Sequence, residues 1–137
     1  MVKLYRTTDK VPIKIDKIKF YISPLQYSHK EEIQAELLKA QSDPMAVVRA
    51  AKLSIQYSVK GVDGVENVDG SKFELEFENE VLTEQSVSDL LNIDQDDKLS
   101  FVCTSFLNGI PKDFIDPVTG EKLKGVSIVR ESSSKKR

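Results

Sequence analysis

One cysteine, one histidine and no tryptophan stand among the 137 residues of this chain. A lone thiol, Cys103, cannot close an internal disulfide, and a lone imidazole, His29, cannot supply a multi-histidine zinc set. No apolar run comes near the roughly 20 residues that a membrane helix needs. The opening Met1-Val2-Lys3-Leu4-Tyr5-Arg6 has basic residues but no continuous apolar stretch of the secretory kind. A cytosolic protein without a membrane partner is the expectation. Aromatic residues are 7% of the chain and form no stacking run, and no predicted helix is basic, so nucleic acid is not an expected partner. Glycine-rich phosphate loops, catalytic triads and nucleotide fingerprints do not occur.

What is present is enough for a core: 39% of residues are hydrophobic and 31% charged. The length predicts a single α+β domain over residues 1–130, followed by a disordered, solvated basic tail at 131–137 that ends Lys135-Lys136-Arg137. Charge is segregated along the chain. Between Asp63 and Asp97 there are 12 acidic side chains and one basic one, Lys72, whereas residues 1–30 and 121–137 are net positive. Such a molecule can attract copies of itself, or a charged partner, through complementary potentials.

Alternation of Val11, Ile13 and Ile15, then Ile18, Phe20 and Ile22, with a change of phase at Asp16-Lys17, predicts a β-hairpin. Pro12 predicts that its first strand is an edge. Ser28 and Glu31 have capping-box spacing ahead of Ile33, Leu37 and Leu38, which predicts a helix over 28–41. Asp43-Pro44 starts a second helix, over 44–60, with a stripe of Val48, Ala51, Ile55 and Val59 widened by Val47, Ala50 and Tyr57 and a stop at Gly61. The two helices should form an αα-hairpin, with 61–71 as loop. Strict alternation of Phe73, Leu75 and Phe77 with Glu74, Glu76 and Glu78 predicts a half-buried strand. Thr83 caps a short helix through Ile93. Asp96-Asp97 starts another, with Leu99, Val102, Cys103 and Phe106 inward and an end at Asn108-Gly109. Val126, Ile128 and Val129 can add a last strand. The fold class is therefore α+β: an N-terminal β-hairpin, then a small helical bundle with an additional short strand or hairpin.

Candidate chemistry is sparse. His29, in the first turn of the first helix, is read as facing water, and Cys103 as core filling. Neither the Asp63–Asp69 stretch nor Asp94-Gln95-Asp96-Asp97 keeps the ligand spacing of a calcium loop. No catalytic, metal or cofactor residues are assigned. The glutamate row has two readings, a solvated face or a docking surface.

The order Val11-Pro12-Ile13-Lys14-Ile15, Ile18-Lys19-Phe20-Tyr21-Ile22, Ser23-Pro24-Leu25 and then an amphipathic helix resembles the opening of tail assembly chaperones of long-tailed bacteriophages. Ile55-Gln56-Tyr57-Ser58-Val59-Lys60, Phe73-Glu74-Leu75-Glu76-Phe77 and the run from Leu82 to Leu91 are also similar to phage proteins encoded beside the tail tape measure. That resemblance implies a non-enzymatic protein of the host cytoplasm that self-associates, binds the tape measure protein and helps recruit the tail tube protein. Exposed apolar anchors between the helices are expected at Leu25, Tyr27, Leu38, Met45 and Tyr57, with ordinary core as their other reading. Self-association, giving a homo-oligomer, is expected through Lys14, Lys17 and Lys19 against Glu74, Glu76 and Glu78. The alternative is a structural component of the virion, a tail tube or connector subunit.

Overall fold

The computed structural model describes residue 6, residues 8–116 and residues 119–129; the predicted tail at 131–137 lies outside them. Strands β1 (Val11–Ile15) and β2 (Ile18–Ile22) form the expected hairpin, with Ile13 opposite Phe20 and Lys14 opposite Lys19. Helices α1 (Tyr27–Leu38) and α2 (Met45–Ser58) pack as the predicted αα-hairpin. Strand β3 (Val59–Asp63) follows α2 without a break. A two-stranded ribbon of β4 (Phe77–Glu78) and β5 (Val81–Leu82) leads to α3 (Glu84–Ile93) and α4 (Lys98–Ser105), and β6 (Val126–Ile128) closes the chain. The main sheet is antiparallel in the order β3-β2-β1-β6, and the class is α+β.

Period-two alternation sorts the sheet into two faces. Val11, Ile13, Ile15, Phe20, Ile22 and Val62 are buried and join Ile33, Ile55, Leu90, Leu99, Val102 and Phe106 in one apolar cluster. Lys14, Lys19 and Tyr21 lie on the other face, where Tyr21 donates to Asp63 Oδ2 at 3.0 Å. Contrary to the expectation from Pro12, β1 is not an edge, because β6 pairs with its far side over Ile13, Lys14 and Ile15. Pro12 is tolerated because β6 has ended there. Val129 N–H donates to the Pro12 carbonyl at 2.8 Å, so the nitrogen that lacks a proton points past the last rung of the ladder.

Several local expectations shift. Helix α1 begins at Tyr27 after Gln26, with no side-chain cap, so the Ser28/Glu31 capping box does not form. Leu25, two residues before the first residue of α1, is buried. Asp43 does cap α2, its Oδ1 accepting the Met45 N–H at 3.1 Å. The buried stripe of α2, however, is Ala46, Ala50, Ser54 and Ser58 together with Ile55, and Val47 and Val48 face out. Small residues let α1 and α4 approach closely, and the two serines satisfy their hydroxyls on the carbonyls of Ala50 and Ser54, four residues back. Gly61 is no helix stop but a strand residue, against which the Tyr21 ring packs so closely that a Cβ would meet it at 3.1 Å.

The strand predicted over 73–78 forms a ladder only at Phe77–Glu78. Its backbone is satisfied from elsewhere: Glu76 N–H donates to Ser86 Oγ at 2.8 Å, and the Glu76 carbonyl accepts Thr83 N–H at 3.0 Å. Phe77 is accordingly exposed rather than core. Thr83 caps α3 as expected, its Oγ1 accepting Ser86 N–H at 3.2 Å. For α4 the capping carboxylate is Asp94, not Asp96 or Asp97. It accepts from Leu99 N–H at 2.7 Å and from Ser100 N–H at 3.2 Å. Leu99, Val102, Cys103 and Phe106 face inward as predicted, and burial pushes the Cys103 thiol up to about 12.

Candidate functional site

The five apolar residues singled out in the sequence divide three to two. Leu25 is core at 5% exposure, and Tyr57 is half-buried, packed against the core and flat on His29. Both readings as free anchors are therefore corrected. Their side chains are used to fix the entry of α1 and its contact with α2. Tyr27, Leu38 and Met45 are exposed at 76%, 84% and 56%.

Leu38 is the last residue of α1 and Met45 the first of α2, so both stand at the tip of the αα-hairpin. Val47 and Val48, whose phase the sequence pattern misread, are also exposed, in the first turn of α2. Tyr27 stands apart, at the other end of α1, about 16 Å away at 1.5 Å per residue. An ion-pair network pins the tip: Arg49 Nε reaches Glu36 Oε1 at 2.7 Å and its Nη2 reaches Asp43 Oδ2 at 2.6 Å, while Lys39 Nζ is 3.1 Å from Glu36 Oε2. Hydrogen bonds from Arg49 hold the carboxyls of Glu36 and Asp43 below their ordinary values.

Alongside runs an open groove of 630 Å³ between the αα-hairpin and α3. Leu53, Val87 and Leu91 supply its apolar floor and Glu32, Lys52 and Glu84 its charged walls. An apolar floor with polar edges is the form that receives one face of an amphipathic helix. Leu53, Val87 and Leu91 were not among the sequence-based anchors, because in one dimension they look like any other core position.

The charged candidates fall on different elements. Lys14 and Lys17 are exposed and Lys19 half-buried on the β1–β2 hairpin, with the Lys19 ammonium 5.2 Å from the centre of the Tyr21 ring. Glu74, Glu76 and Glu78 are exposed on the segment bound to the start of α3. Among the described residues none of these six makes an ion pair within the chain.

A second cavity, of 800 Å³, opens where α1, α2, β3 and the β4–β5 ribbon meet. His29 lines it, and so is not simply water-facing as its position in α1 predicts. Its imidazole stacks on Tyr57, and desolvation holds its pKa below 6.5, helped by Lys60 and opposed by Glu32. Tyr57 donates to both oxygens of Glu32 at 2.9 Å, and burial followed by that hydrogen bond pushes its hydroxyl up to about 12. Ser23, 1% exposed, lines the same cavity, and its Oγ has no hydrogen-bond partner among the described residues.

Among the described residues no cluster of three or more His, Cys, Asp or Glu could hold a metal ion, and no helix is long and apolar enough to cross a membrane. No family model, curated protein or solved structure matches the chain.

Proposed function

We propose that this chain is a non-enzymatic binding protein that docks an amphipathic helix of another polypeptide, and specifically a phage tail assembly chaperone acting on the tape measure protein in the host cytoplasm. The observation that supports the reading is the pair of exposed apolar residues at the tip of the αα-hairpin, Leu38 and Met45, beside a groove floored by Leu53, Val87 and Leu91. An apolar cluster held out in water by a rigid ion-pair network costs solubility unless something covers it. A long helical client offers the matching surface, with apolar residues at helical spacing. Lysines on the hairpin and glutamates on the 73–78 segment that make no ion pair among the described residues support self-association around that client, and the tail tube protein is the further partner that the resemblance implies.

Co-expression with the tape measure protein tests the reading. The chain should raise the soluble yield of that protein and co-purify with it. An unchanged yield with no co-purification refutes the proposal. The alternative, a tail tube or connector subunit, is separated by mass spectrometry of purified particles, in which a chaperone is absent and a structural subunit abundant.

A further inference from the structure

One irregularity in the sheet brings Lys60 into the 800 Å³ cavity. Between the pairs Tyr21↔Gly61 and Ile22↔Val59, β3 carries one residue more than β2, and that residue is Lys60. A bulge of this kind takes a side chain out of strict alternation and re-aims it. Val59 and Val62 keep to the buried face, Gly61 faces Tyr21 on the outer face, and Lys60 turns into the cavity wall. Its ammonium donates to the Glu80 carbonyl at 2.9 Å, which leaves two of its three N–H donors for other acceptors. Beside the bulge, Ser23 N–H donates to the Ser58 carbonyl at 2.8 Å and so holds Ser23 on the same wall.

Three groups there lack an acceptor or counter-ion. Among the described residues the Ser23 hydroxyl is buried without a partner and neither Lys60 nor Lys10 has a carboxylate within ion-pair distance, although Glu80 and, less strongly, Lys10 act on Lys60 electrostatically with opposite sign. Glu80 is the acidic residue on the cavity wall, so two ammonium groups stand against one carboxylate. The lining also includes the stacked rings of Tyr57 and His29 and the ring of Phe77. We propose that this cavity binds a carboxylate carried on an apolar group. Lys60 and Lys10 take the carboxylate, and the aromatic rings take the apolar body. The site is separate from the hairpin tip and does not depend on the chaperone reading.

The test uses the full chain, labelled for amide NMR and titrated with 3-phenylpropionate, with the neutral 3-phenylpropanamide as control. The acid should shift the amides of Ser23, His29 and Lys60 in a saturable way, and the amide should not. Lys60→Gln and the exposed Lys10→Gln should each weaken binding by about tenfold, the scale of one charge-assisted hydrogen bond. A short peptide with a C-terminal phenylalanine and free carboxylate separates the two sources of this chemistry: tighter binding than the small acid assigns the site to a polypeptide, and weaker binding to a free organic acid. Shifts of equal size with acid and amide, shifts mapping elsewhere, or no shift with either would overturn the proposal.

Discussion

The His29 imidazole lies flat on the Tyr57 ring, centroids 3.7 Å apart and planes within 3° of parallel. This contact ties the first turn of α1 to the last turn of α2, and it places a titratable ring where water is partly excluded.

A pH dependence follows. In the folded chain His29 is held below its ordinary value of 6.5, chiefly by desolvation. As pH falls below 6.5, the unfolded chain takes up the proton first, so the stability due to the neutral ring is complete above that pH and is lost as pH drops toward the folded value. The lowered carboxyls of Glu36 and Asp43 act the same way, but only below their ordinary values of 4.5 and 3.8. Urea denaturation of the parent between neutral pH and about pH 5 should therefore show declining stability, and His29→Phe should flatten the decline. An NMR titration that put His29 above 6.5 would contradict the assignment.

A second prediction concerns the clamp between the β1–β2 turn and the start of β6. Asp16 N–H donates to the Gly125 carbonyl at 2.7 Å, and both Asp16 carboxylate oxygens lie 3.1 Å from Lys98 Nζ at the start of α4. Gly125 has φ +76°, and a Cβ there would run into the Asp16 carboxylate. Gly125→Ala should cost about 1–3 kcal/mol from the left-handed backbone alone, with the collision added. Chemical denaturation measures it, and an unchanged midpoint would show that the clamp does not form.

Charge carries the third. Lys14, Lys17 and Lys19 are free to meet Glu74, Glu76 and Glu78 of another copy, and exposed charges are screened beyond roughly 8 Å at physiological ionic strength. Sedimentation should show oligomers at low salt that dissociate as salt is raised, and the triple change of Glu74, Glu76 and Glu78 to Gln should abolish them. A monomer in low and high salt alike would count against this contact.

The sequence exposes the hairpin and the inner face of α4 because each follows a single clean period, two for Val11–Ile22 and helical for Leu99, Val102, Cys103 and Phe106. It hides the phase of α2, because hydrophobicity weights Val47 and Val48 above Ala46, Ala50 and Ser54, whereas close helix packing selects small residues. Strand β3 is masked in the same way, since Gly61 looks like a stop until the Tyr21 ring beside it explains the missing Cβ. The Glu74–Glu78 alternation is real, but Ser86 and Thr83 satisfy its backbone at Glu76 in place of a neighbouring strand. As for the candidate site, the sequence offers Leu38 and Met45 either as exposed anchors or as core, and the exposure of Leu38 appears only once α1 ends at that residue instead of running to 41. The cavity was not legible, since its wall is assembled from segments far apart in the chain and Lys60 joins it at a one-residue bulge that only pairing with β2 reveals.

The most direct measurement of the account is binding of the tape measure protein to a chain altered only at the hairpin tip, Leu38→Glu with Met45→Glu. Both residues are exposed, so the circular dichroism spectrum and melting temperature should stay at parent values while calorimetric affinity falls by at least about a hundredfold, as expected for two apolar anchors. Parent-like affinity in that double variant would contradict the assignment of the tip as the docking surface.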